Sequence, residues 1–261
     1  SADVVVSIPK LKVHKKVGVT LNTKGLVGIC TNKNYLVHYT LGSPAEGGDQ
    51  YPDNLLNPME SKLIKLERWM YDHFLASKCI PLEYLHRLIY WLHERSFHLL
   101  GVKVSEEKRL FDAGNWHGND SAWRMAVDLL KIIYFSDSNG SMKDTPQRRF
   151  FSVVDGVIGG ENNGPLIPDP MSAGVLVGGG NLLAVDLVAT RIMGFDYKKI
   201  KMFTILSSID YDFEIRGPGD IEVLSNDESF DSCFNNNEHS YLNFRSHPGW
   251  IGQIEVGLDE E

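Results

Sequence analysis

The residues best suited to chemistry lie near the start of the chain. His14, Lys24 and His38 follow one another at intervals of ten and fourteen residues, in a segment that also holds Lys12, Thr20 and Asn22. Histidine changes charge near neutral pH, so a pair of them can pass protons or ligate a metal. A lysine grips an anion when protonated and attacks a carbonyl when it is not. His14, Lys24 and His38 are therefore the catalytic candidates, and Lys12, Thr20 and Asn22 the first candidates for holding substrate. Lys10, Lys12, Lys15, Lys16 and Lys24 make a basic island within fifteen residues. The bland alternative is a solvated basic loop whose histidines have ordinary partners.

Two further groups stand later in the chain. Asp155 ends an apolar run, and Glu161, Asn162 and Asn163 follow in a Gly-rich loop. An acidic residue at the end of a buried strand points into the ligand crevice of an α/β sheet. The same residues also serve as turn formers, because Asp caps turns and Asn tolerates left-handed backbone. The second group is Gly178-Gly179-Gly180 before an apolar helix containing Asp186. The exposed N–H groups of a helix start attract anions, which makes Gly179 and Gly180 candidates for substrate binding beside Asn162 and Asn163. The glycines match neither the dinucleotide fingerprint nor the P-loop, and close packing alone would also call for them. Asp155, Glu161 and Asp186 are the candidate metal ligands. The cofactor is unknown on these residues, with a divalent metal admitted.

The elements that must position these groups alternate. The pattern predicts a strand over 4–8, the basic loop, then turn chemistry over 41–56. A helical region follows, with Leu63, Leu66, Trp69, Met70 and Phe74 at helical spacing and a second helix from Pro81 to Gly101. A helix is predicted from Ser121 to about Phe135, capped by Asn119 or Asp120. Strands are predicted at 150–154 and 173–177, then a helix over 182–193 closed by Gly194. The tail reads as irregular and acidic, with short strands near 221–224 and 250–256. The fold class is α/β: a mixed or mostly parallel sheet flanked by helices, with a helical insertion at about 54–135 and an irregular C-terminal tail. We expect one α/β domain over 1–261. The chain opens directly on an apolar strand, which suggests a missing N-terminal portion or a sheet edge.

Composition excludes several classes. The 261 residues carry 43% hydrophobic and 23% charged side chains, which suits a globular protein with a sizeable core. A net charge of −8 argues against general nucleic-acid binding. Three scattered cysteines fit neither a disulfide framework nor an iron–sulfur cluster in this chain, and point to a reducing, cytoplasmic setting. The apolar stretch 171–194 holds three glycines, Asp186 and Arg191, so no membrane span is expected.

Four runs carry a family resemblance: Ala2 to His14, Thr20 to Gly28, Val154 to Pro165 and Ala184 to Gly194. They resemble the family named domain of unknown function 362. That resemblance implies an α/β fold and little about activity. Some of its members carry ferredoxin-like clusters, for which this chain lacks the cysteines. More locally, the His14–Lys24–His38 spacing is similar to the cofactor loop of lactate racemase, a nickel-pincer nucleotide enzyme. There the lysine holds the cofactor and the histidines handle protons or ligate metal. In that comparison Leu21-Asn22-Thr23-Lys24 stands where the racemase has Gly-Gly-Lys. The expectation is an enzyme acting on a small anionic molecule, by His/Lys acid–base or metal-assisted chemistry. The rivals are a non-enzymatic binding module for an anionic or glycan-like ligand, and an interaction subunit of a larger redox protein. A homo-oligomer is compatible with either.

Overall fold

The computed structural model describes residues 2–56, 106–204, 211–215, 218–231 and 242–257, with isolated positions between 61 and 91 and at 234. The predicted helical hairpin over 60–101 therefore lies outside the described residues. The chain divides into two compact units, one formed by 1–38 with 115–261 and the other by 39–114.

In the first unit a single long strand, β4 (Arg149–Glu161), organises the sheet. On one side it pairs in parallel with β1 (Val4–Ser7) and then β2 (Lys10–His14). These are two halves of one interrupted strand. Pro9 between them has no N–H to give, yet its carbonyl still accepts from the Asp155 N–H at 2.8 Å. On the other side β4 pairs antiparallel with β6 (Val175–Gly179) and β5 (Asp169–Met171). The two-residue strand β3 (Gly18–Val19) folds back on β2. The result is a six-stranded mixed sheet in an α/β fold.

Side chains alternate across a strand, so β4 sorts the two faces. Phe150, Ser152 and Val154 point to the core, where three helices meet them: α1 (Leu21–Gly25), α3 (Ala122–Phe135) and α4 (Leu182–Ile192). Tyr134 of α3 stacks on Phe150 at 4.0 Å between ring centroids, and Ser152 Oγ donates to Asn22 Oδ1 of α1 at 2.9 Å. The opposite face carries Val4, Val6, Ile8, Phe151 and Leu176, all exposed. Two short helices, α2 (Glu106–Phe111) and α5 (Lys201–Thr204), complete the described helical elements.

Asn119 caps α3, its Oδ1 accepting from the N–H groups of Ser121 and Ala122 at 3.1 and 2.8 Å. The α3 helix belongs to the sheet-bearing unit, so the compact unit inserted in the chain is 39–114 rather than 54–135. Within that unit, a turn over Pro44–Glu46 is closed by a Ser43/Glu46 capping box, and Gln50 Nε2 donates to Asp112 Oδ1 at 3.0 Å. The tail differs from expectation as well. Residues 221–224 form no strand, and 250–256 contribute only an isolated bridge between Phe195 and Glu255. The tail is held by isolated backbone bonds, such as Leu242 N–H to the Ile192 carbonyl and Phe244 N–H to the Met193 carbonyl at 2.9 Å each, and by side chains.

Candidate functional site

His14 ends β2, where the strand turns into β3 and α1. It is 6% exposed. The N–H of Lys16 donates to its Nδ1 at 3.1 Å. An accepting Nδ1 places the proton of the neutral ring on Nε2. Burial pushes its pKa well below the ordinary histidine value, and the charges of Lys24, Lys16, His38 and Lys12 push the same way. His38 has the opposite arrangement. Its Nδ1 lies 2.8 Å from the Leu36 carbonyl; a carbonyl can only accept, so Nδ1 carries the proton and Nε2 keeps its lone pair. Its pKa is lowered by burial, and by Lys24 and Lys16 against the Leu36 hydrogen bond.

Lys24 lies in α1 and is 4% exposed. Its Nζ has no hydrogen-bond or ion-pair partner among the described residues. Burial brings its pKa down to about 8. His14, Lys24 and His38 thus feel one another's charge, with Lys16 acting on both histidines. The cluster is electropositive and has no carboxylate of its own.

The chain holds α1 in place by means distant in sequence. The carboxylate of Asp186, fully buried in α4, accepts four hydrogen bonds from two consecutive residues. Asn22 N–H and Nδ2 reach Oδ1 at 2.8 Å each; Thr23 N–H and Oγ1 reach Oδ2 at 2.8 and 2.7 Å. Burial still raises its pKa to about 6 against those four donors. Just before them Leu21 takes a φ of 45°, a left-handed conformation that a bulky residue rarely adopts. Strain of this kind is kept where surrounding structure over-determines it. Here it sits three residues before Lys24. Thr20 Oγ1 donates to the Val13 carbonyl at 3.2 Å and ties the start of α1 to β2.

The tail closes the loop from the other side. Trp250 is buried, and its Nε1–H donates to the Lys15 carbonyl at 2.8 Å. His247 lies in the same turn; burial, with the charge of Lys15, brings its pKa to about 4. The Lys15 N–H bonds the Gly164 carbonyl at 3.3 Å. A side chain at Gly164 would meet the Val13 carbonyl at 2.3 Å, so only glycine lets that loop lie against β2. Sequence reasoning missed Lys16, His247 and the anchoring role of Trp250. The one local signal was the Pro-Gly turn that precedes Trp250.

The remaining candidates have other occupations. Lys12 Nζ donates to the Pro165 carbonyl at 3.1 Å, and burial with the charge of Lys10 lowers its pKa. It stays near enough to act on His14. Asn22 is consumed by Asp186 and Ser152. Asp155 pairs with Lys10 at 2.8 Å, at the beginning of β2; His14 is at its end, roughly 13 Å away at strand rise. Glu161 is buried and accepts from the Arg245 backbone N–H and Nε at 2.8 Å each, so it anchors the tail. Asn162 is a left-handed turn residue with φ 60°, its Nδ2 donating to Asp169 at 2.9 Å; Asn163 is exposed beside it.

Because β6 runs antiparallel to β4, Gly179 pairs with Ser152, the residue that bonds Asn22 of α1, whereas Lys12 of β2 pairs with Gly160. The helix start beyond Gly179 and Gly180 is closed to anions. The N–H of Leu182 goes to the Tyr134 hydroxyl at 3.0 Å, and those of Leu183 and Ala184 go to Asn181 Oδ1 at 3.0 and 3.1 Å. Asp155, Glu161 and Asp186 therefore do not converge. Among the described residues no three His, Cys, Asp or Glu side chains gather to hold a metal.

The family model described as "Domain of unknown function (DUF362)" matches residues 1–191. The chain belongs to that family. The match takes in the sheet, α1, α3 and nearly all of α4, and with them His14, Lys24, His38 and Asp186. Arg245, His247 and Trp250 lie beyond it. No curated protein and no solved structure matches the chain. No helix among the described residues is long and apolar enough to cross a membrane.

Proposed function

We propose that this chain is an enzyme that moves a proton on a small anionic substrate at the His14–Lys24–His38 cluster. The observation that carries the reading is the juxtaposition of buried His14 and Lys24 with half-buried His38, coupled in charge, with no carboxylate to neutralise them among the described residues. An anion entering there supplies the missing negative charge. The two histidines are complementary in tautomer: His14 offers an Nε2–H and His38 an Nε2 lone pair. Both pKa values are lowered, so both rings are neutral at pH 7, as an acid–base pair requires before turnover. Lys12 and Lys16 keep the field positive.

Two measurements test it. Phosphate, sulfate or small carboxylates are expected to raise the melting temperature by mass action. Lys24→Ala should abolish that shift, and Lys15→Ala, whose charge acts on His247 and not on the cluster, should leave it. Incubating small hydroxy and oxo carboxylates with the protein in D2O should exchange their α or β protons, read by NMR. His14→Gln and His38→Gln should stop exchange while the thermal shift survives. Stabilisation without exchange across the panel would make the site a binding module. Neither effect would end the reading.

A further inference from the structure

We propose that Lys24 is a nucleophile that forms an imine with a carbonyl-bearing anion, a small 2-oxo acid. This rests on the anion site proposed above and names its substrate class. The geometry separates Lys24 from the other lysines of the island. The Lys10 ammonium is half-exposed and paired with Asp155 at 2.8 Å. Lys12 gives a proton to the Pro165 carbonyl. Lys24 alone of these three is buried to 4% exposure with its nitrogen uncommitted.

The carboxylates of the neighbourhood are spent. Asp186 takes four donors from Asn22 and Thr23, Glu161 holds Arg245, and Asp155 holds Lys10. Nothing described stabilises an ammonium at Nζ, while His14, Lys16 and His38 all stand on the positive or neutral side. With a pKa brought down to about 8, a share of Lys24 is free amine near neutral pH and has the lone pair that carbonyl addition needs. The strained, four-fold-anchored turn at Leu21–Thr23 fixes the backbone from which this side chain rises. That narrows where the nitrogen can be, which favours attack.

The step balances within the site. The Nζ lone pair adds to the carbonyl carbon, and the C=O π pair becomes an alkoxide. His38 Nε2 takes one proton from the nitrogen and hands it to that oxygen, while the His14 Nε2–H donates a hydrogen bond to it. The nitrogen lone pair then expels the oxygen, which takes the second nitrogen proton and leaves as water. An amine and a carbonyl become an imine and one water, with no oxidant or reductant. Lys12 and Lys16 supply the positive field for the substrate carboxylate once Lys24 is neutral. An imine beside a carboxylate acidifies the adjacent C–H, which is the proton the histidine pair would move.

Reductive trapping tests this. The full chain is incubated with pyruvate or glyoxylate and sodium cyanoborohydride, then measured by intact mass and peptide mapping. The expected product is a single adduct on Lys24 whose mass is the oxo acid less one oxygen atom, with trapping rising as pH passes about 8. Lys24→Met should lose the adduct and Lys15→Ala should keep it. If Lys24→Met does not fold, the site mapped in the unaltered chain decides. Adducts spread over Lys10, Lys15 and other exposed lysines would overturn the proposal. Stabilisation by pyruvate with no adduct would also overturn it and leave the anion site standing. Absence of both would remove the anion site as well.

Discussion

Lys24 is buried with no opposite charge at its nitrogen among the described residues, and that arrangement is costly. Its pKa of about 8 lies below the usual 10.5, which corresponds to a penalty of about 3 kcal/mol whenever the folded chain must hold it protonated. The sign follows from proton uptake. Between pH 8 and 10.5 the unfolded chain binds this proton and the folded chain does not. Stability therefore rises with pH across that window, and the full penalty applies below it. Lys24→Met keeps the stem and removes the charge. It should stabilise the protein at pH 7 by up to about 3 kcal/mol while abolishing anion binding, the trade expected of a functional residue. Urea melts of both chains at pH 7 check this; a destabilised variant would mean that Lys24 is a structural contact. At this scale the sequence singles out His14, Lys24 and His38 by density of reactive types after an apolar strand, and the structure sets them within reach of one another's charge. For Asn162 the turn-forming alternative holds, with φ 60°. The partners of Asn22, Glu161 and Asp186 were not legible, because each is a hydrogen-bond partner distant in sequence that no local pattern reveals.

At the level of elements, α1 is five residues long, too short to persist without anchoring. Asp186 supplies that anchor from α4, 164 residues on from Asn22. Asp186→Asn turns one oxygen into an amide that can donate but not accept. It leaves buried donors of Asn22 or Thr23 facing an NH2 group. The expected loss is about 2–4 kcal/mol, with loss of anion binding in the fraction that stays folded. Ser152→Ala, which removes one neutral hydrogen bond to Asn22, should cost about 1 kcal/mol. Chemical denaturation of the two variants gives the comparison, and equal losses would mean that the four-donor cap is not the anchor. The sequence located the 122–135 and 182–192 helices closely, because caps and helical spacing are local signals. Strand direction is not local. The run Val175–Gly179 reads the same either way, and its antiparallel pairing sets Gly179 opposite Ser152, before a helix start whose N–H groups are already taken. The tail gave no periodic signal because it is held by scattered backbone bonds to the end of α4 and the turn after it, and by Arg245 and Trp250 reaching Glu161 and the Lys15 carbonyl, none of which leaves a local pattern.

The whole molecule should be sensitive to mild acid, and the reason is the number of histidines folded into it uncharged. His14, His38, His117 and His247 all have pKa values pushed down, each chiefly by burial. In the unfolded chain they titrate near 6.5. As pH falls below that, the unfolded state takes up protons that the folded state refuses, so stability is lost from pH 6.5 downward toward each folded value. For His247 that value is about 4. Asp186 works in the other direction. With a folded pKa of about 6 against the ordinary aspartate value of 3.8, it is protonated first in the folded state and gains stability between those limits. One carboxylate against four histidines leaves the histidines dominant. His247, buried with a folded value of about 4, should contribute a slope of up to about 1.4 kcal/mol per pH unit near pH 5, and His14 acts in the same direction, before the opposing Asp186 contribution. Urea melts between pH 5 and 7.5 should show stability flat above 6.5 and falling steeply below it. His14→Gln should remove one proton from the linkage and flatten the fall. Stability that holds level from pH 7 to 5 would mean that these rings are charged in the folded protein. The neutral, opposite-tautomer pair on which the proton-transfer reading depends would then be lost with it.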